Sequence, residues 1–241
     1  MKLYDEIVDN VLALCSEGQE RSLPVDPACA WPKDMEKTMI LRGDTAYELG
    51  GSDGKLPALG ATVLTDNMEL VPNDELLLIG PDLPELKGDA SYARIALVRV
   101  NPESMGEGNA LYNAIRHIEY TRYHVEPQGF MVRVSTTYGR ESVRVSKDAV
   151  TKGINFRQVG NLMLNEFHKT PSVQAVKLVL VTDPRFSFND LEREIKKTET
   201  ITKTIDHMLK NVMSDCNTCS LQEICDEIEG MRELHEGLSA E

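Results

Sequence analysis

Residues Tyr92–Val100 (YARIALVRV) form an apolar run bounded by turn residues, and no other segment narrows the choice of fold so far. A run of this kind reads as a β-strand, and a strand needs neighbours. Segments 45–49, 61–65 and 76–79 supply them, stopping at Gly50-Gly51 or at Gly80-Pro81, and 173–182 is a further strand ended by Pro184. Segments 130–134 and 142–145 alternate apolar with polar or charged residues across Tyr138-Gly139, the pattern of a hairpin. Between the strands lie helical spacings. Leu3, Ile7, Val8, Val11, Leu12 and Cys15 fall on one face of a first helix, with Gly18 as its stop. Segments 109–123 and 156–168 are also helical, and a long charged helix runs from about 189 to 212. Residues 19–43 carry Pro24, Pro27, Pro32 and Gly43 and read as an irregular connection. Interleaved strands and helices with a hairpin among them point to an α+β (mixed α/β) fold. The expectation is a mixed sheet with packed helices, followed by a long helix and a small helical, cysteine-bearing C-terminal segment. It divides the chain into 1–43, 44–187 and 188–241.

Charge narrows the partners. With 26 Lys and Arg against 39 Asp and Glu the formal charge is −13, which repels nucleic acid and anionic lipid alike. No stretch of roughly 18 apolar residues is present, so no transmembrane helix is expected. The N-terminus carries acidic residues inside its apolar region and reads as an amphipathic helix, not a secretion signal. The expected location is the cytoplasm.

Of the five cysteines, Cys216, Cys219 and Cys225 crowd into SDCNTCSLQEIC. Their Cys-x2-Cys-x5-Cys spacing, in a chain without a secretion leader, favours metal over disulfides. A Cys-x2-Cys turn sets two thiolates on one side of a bend, where they can share a metal centre. Iron–sulfur clusters and zinc both take thiolates in tetrahedral geometry, so the spacing alone leaves both open. Asp215, Glu223, Asp226 and Glu227 surround the trio with charge unsuited to a core. His235 is the nearest candidate for a fourth ligand; Cys15, Cys29, Asp215, Asp226 and an open site are alternatives. Cys15, on the apolar face of the first helix, reads foremost as a small buried hydrophobe. His117, His124 and His207 read as surface or packing residues. Gly50-Gly51 and Gly80-Pro81 are turn punctuation without phosphate-binding spacing.

Several segments in order carry a resemblance: TAYELGG (45–51), LLLIGPDLPEL (76–86), RHIEY (116–120), VRVSKDAVTKGINFRQVGNLM (143–163) and LVTD (180–183). Together they resemble the beta subunit of the carbon monoxide dehydrogenase/acetyl-CoA synthase complex, over most of residues 24–225. The resemblance implies a [4Fe-4S] cluster with Cys216, Cys219 and Cys225 at its first three cysteine positions. It puts Cys219 at the position that bridges to nickel, and His235 where a fourth cysteine is expected. The gap between Cys219 and Cys225 is shorter than the family's, and the downstream Cys-Gly-Cys that holds the distal nickel does not occur in these 241 residues. A complete nickel site is therefore not expected from this chain alone. What the resemblance implies is an iron–sulfur protein of anaerobic one-carbon, acetyl-CoA or corrinoid methyl-transfer metabolism, acting with a redox, corrinoid or methyl-transfer protein. If it is an enzyme, it is an acyltransferase of the CO-methylating acetyl-CoA synthase type. The contrasting reading is a zinc-stapled, non-enzymatic protein-interaction module.

Overall fold

The structure, a computed structural model, describes residues 2–31, 39–41, 45–51, 55–125, 127–135, 137 and 139–209. The elements run α1 (Lys2–Ser16), β1 (Glu20–Leu23), β2 (Ala46–Leu49), β3 (Ala58–Thr65), β4 (Glu75–Ile79), β5 (Tyr92–Val100), α2 (Asn109–Tyr120), β6 (Phe130–Val134), β7 (Glu141–Ser146), α3 (Lys147–Thr151), α4 (Phe156–Phe167), β8 (Val173–Val181) and α5 (Phe188–Leu209). Short 3-10 turns lie at Leu83–Glu85, Pro102–Ser104 and Thr121–His124.

Five strands build the main sheet in the order β1-β4-β8-β5-β3. β4 with β8 and β3 with β5 are parallel, whereas β1 with β4 and β5 with β8 are antiparallel. A second, antiparallel sheet runs β2-β7-β6. The fold is thus α+β with a mixed sheet, as the sequence pattern leads one to expect.

Strand alternation sorts the main sheet into two buried faces. Ala93, Ile95 and Leu97 of β5 join Val179 and Val181 of β8 under α1 and α5. Tyr4, Ile7, Val8 and Val11 come down from α1, and Leu191, Ile195 and Ile201 from α5. The intervening residues Tyr92, Ala96 and Val98 face the other way, with Leu178 and Leu180, onto α2, α4 and the small sheet. Both faces being covered, β5 is buried along nearly its whole length. That is why, Arg94 and Arg99 apart, its sequence is apolar instead of alternating.

Local signals end the elements where expected. Asn155 caps α4 through a capping box with Gln158, and Asp82 does the same for the turn at Leu83–Glu85. Gly80 closes β4 at φ +106, with Asp183 N only 2.4 Å from where a Cβ would stand. A residue with a side chain is excluded there on both counts.

The connection expected to be irregular holds a strand. β1 adds ERSL to the edge of the main sheet, pairing Glu20 with Ile79 through Leu23 with Leu76. It escapes detection because an exposed edge strand has no buried face to leave an apolar period. α2 is also shorter than 109–123, since its last turn tightens into the 3-10 turn at Thr121–His124.

Candidate functional site

The candidate metal ligands Cys216, Cys219, Cys225 and His235 lie outside the described residues, as do Asp215, Asp226 and the side chain of His207. Among the described residues no three His, Cys, Asp or Glu side chains are grouped to hold a metal ion. Cys15, on the buried face of α1, is 1% exposed, and burial followed by the charge of Glu20 pushes its thiol up to about 12. Such a thiol resists giving the thiolate that a metal requires, so Cys15 is a packing residue. Cys29 is half-buried, and its N–H closes a turn onto Asp26 O at 2.9 Å.

What the described residues do assemble is a polar seam where the two sheets meet. Arg94 sits on the core-facing register of β5, between Tyr92 and Ala96. Glu141 opens the inward set of β7, ahead of Val143 and Val145, in a strand that alternates buried and half-buried. Each charge is therefore in phase with the apolar residues of its strand. Arg94 Nε and Nη2 donate to the two Glu141 carboxylate oxygens at 2.8 and 2.9 Å, and Nη1 donates to Ala61 O and Thr62 Oγ1. The side chains are 1% and 0% exposed. Gly60 makes the approach possible: a Cβ there would stand 2.3 Å from Glu141 Oε2. Its N–H donates instead to Gly139 O at 2.8 Å, tying β3 to the hairpin turn. Tyr92 lies in the same layer with its hydroxyl buried and unpartnered among the described residues. Burial, with Glu141 adding to it, raises the Tyr92 phenol well above its ordinary value.

Three further cations, Arg116, Arg122 and Lys203, and two acids, Glu119 and Glu199, border the seam. Arg116 Nη1 donates to Glu119 Oε2 at 2.5 Å, and its Nη2 to Tyr120 Oη. Glu119 is buried, and desolvation raises its carboxyl despite Arg116. Thr202 of α5 donates to Glu119 Oε1 at 3.5 Å and lies the same distance from Tyr4 Oη, so a polar chain links α2, α5 and α1. Burial pushes the Tyr4 phenol up to about 12. Arg122, from the Thr121–His124 turn, lies 3.8 Å from Glu141. Glu199 of α5 pairs with Lys203 at 2.6 Å. Between these groups opens a cleft of about 340 Å³ lined by Thr62, Arg116, Glu119, Arg122, Ser135 and Glu199, among others. A separate cluster on the outer face of the small sheet sets Glu48 between Arg133 at 3.0 Å and Arg144 at 2.6 Å.

Residues 29–186 match the model of the family described as the CO dehydrogenase/acetyl-CoA synthase complex beta subunit. The chain belongs to that family. No curated protein matches it. The family span opens just after β1 and closes just before α5, so it contains Gly60, Arg94, Arg116, Glu119, Arg122 and Glu141 but none of Cys216, Cys219, Cys225 and His235. No described helix is long and apolar enough to cross a membrane.

The seam was not among the sequence expectations. A signal for it exists: an arginine two residues into a strand that is otherwise apolar on both faces must find a buried partner. Nothing in the sequence pairs it with Glu141 rather than with another acid.

Proposed function

We propose that this beta-subunit-family protein carries an iron–sulfur cluster on Cys216, Cys219 and Cys225, with His235 as a further metal ligand. It would serve a protein partner in cytoplasmic one-carbon and acetyl-CoA metabolism. Family membership over residues 29–186 is the observation that carries the reading. In sequence, only residues 210–215 separate the end of α5 at Leu209 from Cys216, which supports the reading. The donor set suits the group, because three thiolates favour iron–sulfur clusters and the alternative imidazole is an accepted ligand on such centres. Segment 188–241 is then the cluster-bearing unit and 44–187 the family core. When bound, the cluster supplies one-electron chemistry. The chain's own residues would hold it beside the end of α5, in an acidic setting that disfavours added negative charge and so lowers the cluster's potential. The partner called for is a redox, corrinoid or methyl-transfer protein.

The test is metal and acid-labile sulfide analysis of protein purified without oxygen, together with its visible spectrum. About four irons and four sulfides per chain, lost in Cys219→Ala while the α+β core stays folded, are expected. Nickel accompanying the iron would extend the proposal to acyl transfer of the acetyl-CoA synthase type. A single zinc and a colourless protein would replace it with the structural staple.

A further inference from the structure

The seam's charges do not balance, and the imbalance falls on one residue. Three pairs are matched: Arg94 with Glu141, Arg116 with Glu119, and Lys203 with Glu199. Among the described residues Arg122 is the odd cation, its guanidinium lying 5.0 Å from the centroid of the Tyr123 ring. Its side chain is only 15% exposed. Both oxygens of its nearest carboxylate, Glu141, are already engaged by Arg94, and the 3.8 Å between Glu141 and Arg122 exceeds a hydrogen bond. One hydrogen bond reaches it from the described residues, at 3.3 Å from Nη2 to Tyr123 Oη, and its Nε is buried without a partner among them. A guanidinium offers five donors in a rigid fork, and leaving it desolvated and under-bonded is costly.

We propose that the cleft is a binding site for a small monocarboxylate, seated on the free edge of the Arg122 guanidinium. A planar carboxylate matches the fork with two parallel hydrogen bonds. Among the described residues of the seam one cation is in excess, and that count selects a monoanion. A doubly charged phosphate would leave a surplus negative charge facing Glu119 and Glu199, which also line the cleft. The hydroxyls of Thr62, Ser135 and Thr137 line it too and can serve a hydroxyl or carbonyl on the ligand. A volume of about 340 Å³ lies at the small end of ligand pockets, which run from roughly 300 to 1,000 Å³, and so favours a molecule of few carbons. The described residues that line the cleft fall between Gly60 and Glu199, outside the cysteine segment in sequence, and the binding proposed needs no cluster.

The probe is glycolate, set against ethylene glycol as its uncharged counterpart and inorganic phosphate as the competing anion. Full-length protein is titrated by calorimetry at constant ionic strength. Saturable binding of glycolate, none of ethylene glycol, and about tenfold or more weaker binding in Arg122→Gln are expected. Arg122→Lys, which keeps the charge and loses the fork, should also bind more weakly, and circular dichroism checks that both variants are folded. Arg157→Gln, remote from the cleft, should bind like the parent. The proposal is overturned if glycolate does not saturate the parent protein, if phosphate binds as tightly as glycolate, or if folded Arg122→Gln and Arg122→Lys both retain full affinity.

Discussion

Replacing Glu141 by leucine removes the only carboxylate that Arg94 touches among the described residues, and the geometry says what that costs. Arg94 is fully buried, so its guanidinium would keep just the Ala61 carbonyl at 3.1 Å and the Thr62 hydroxyl at 3.3 Å. Stripping one partner from a buried ion pair costs about 3–5 kcal/mol, because the surviving charge stays desolvated. Glu141→Leu belongs at the upper end of that range, since Arg122 also loses its nearest acid. Arg94→Leu belongs at the lower end, because Arg122 remains 3.8 Å from Glu141 and can move in. The double variant Arg94→Leu/Glu141→Leu removes both charges and should lose less than either single variant, so the coupling energy should exceed the larger single loss of about 5 kcal/mol. Urea unfolding at pH 7, followed by far-ultraviolet circular dichroism, supplies the three values if the slopes stay equal. Single variants that each lose less than about 1 kcal/mol, or a double variant that loses their sum, would refute the reasoning.

Gly60→Ala should destabilise the protein by about 1–3 kcal/mol, seen as a lowered urea midpoint, because the added methyl meets Glu141 at 2.3 Å in a packed seam. Unchanged stability would mean that the hairpin does not lie on β3 as described. Glu85 and Glu119 should bend the pH dependence of stability in opposite directions. Arg21 holds the Glu85 carboxyl down to about 2 from 4.5, so its contribution is present above 4.5 and lost as pH falls towards 2; half-exposure keeps it small. Burial raises the Glu119 carboxyl, so stability withheld at neutral pH is regained as pH falls through its folded value towards 4.5. Melting temperatures against pH for Glu85→Gln and Glu119→Gln check both signs, each variant flattening its own contribution. Mass mapping after thiol alkylation of native protein should leave Cys15 unlabelled at pH 8 and label it after denaturation, given a thiol pushed up to about 12 on the buried face of α1; prompt native labelling would contradict that packing.

The elements most legible in the sequence are those with one strong period and a hard stop. β5 has the limits of its apolar run, and α4 begins where Asn155 and Gln158 form a capping box. β6 and β7 pair as the alternations of 130–134 and 142–145 suggest, through Phe130 with Val145 to Val134 with Glu141. What stayed hidden is what depends on distant neighbours. β1 is polar and exposed at three of its four positions and is a strand only because β4 offers it an edge. The five-residue α3 is too short to show a period. Glu141, one polar residue at the head of an alternating strand, gains its meaning from Arg94, 47 residues earlier in the chain. The cysteine trio lies outside the described residues, and its spacing stands as an expectation about chemistry.

The position of β8 has a consequence for how the protein is made. It lies between β4 and β5, strands completed long before residue 173 is synthesised. Until then a nascent chain holds two half-sheets, β1-β4 and β5-β3, each with an inner flank of unpaired amides and carbonyls lined by Leu76, Leu78, Ile95 and Leu97. Vectorial synthesis thus leaves the most aggregation-prone edges open until late, and a single nine-residue strand closes both at once. Ribosome-bound or truncated chains ending before 173 should depend on chaperones, whereas chains that run through α5 should not.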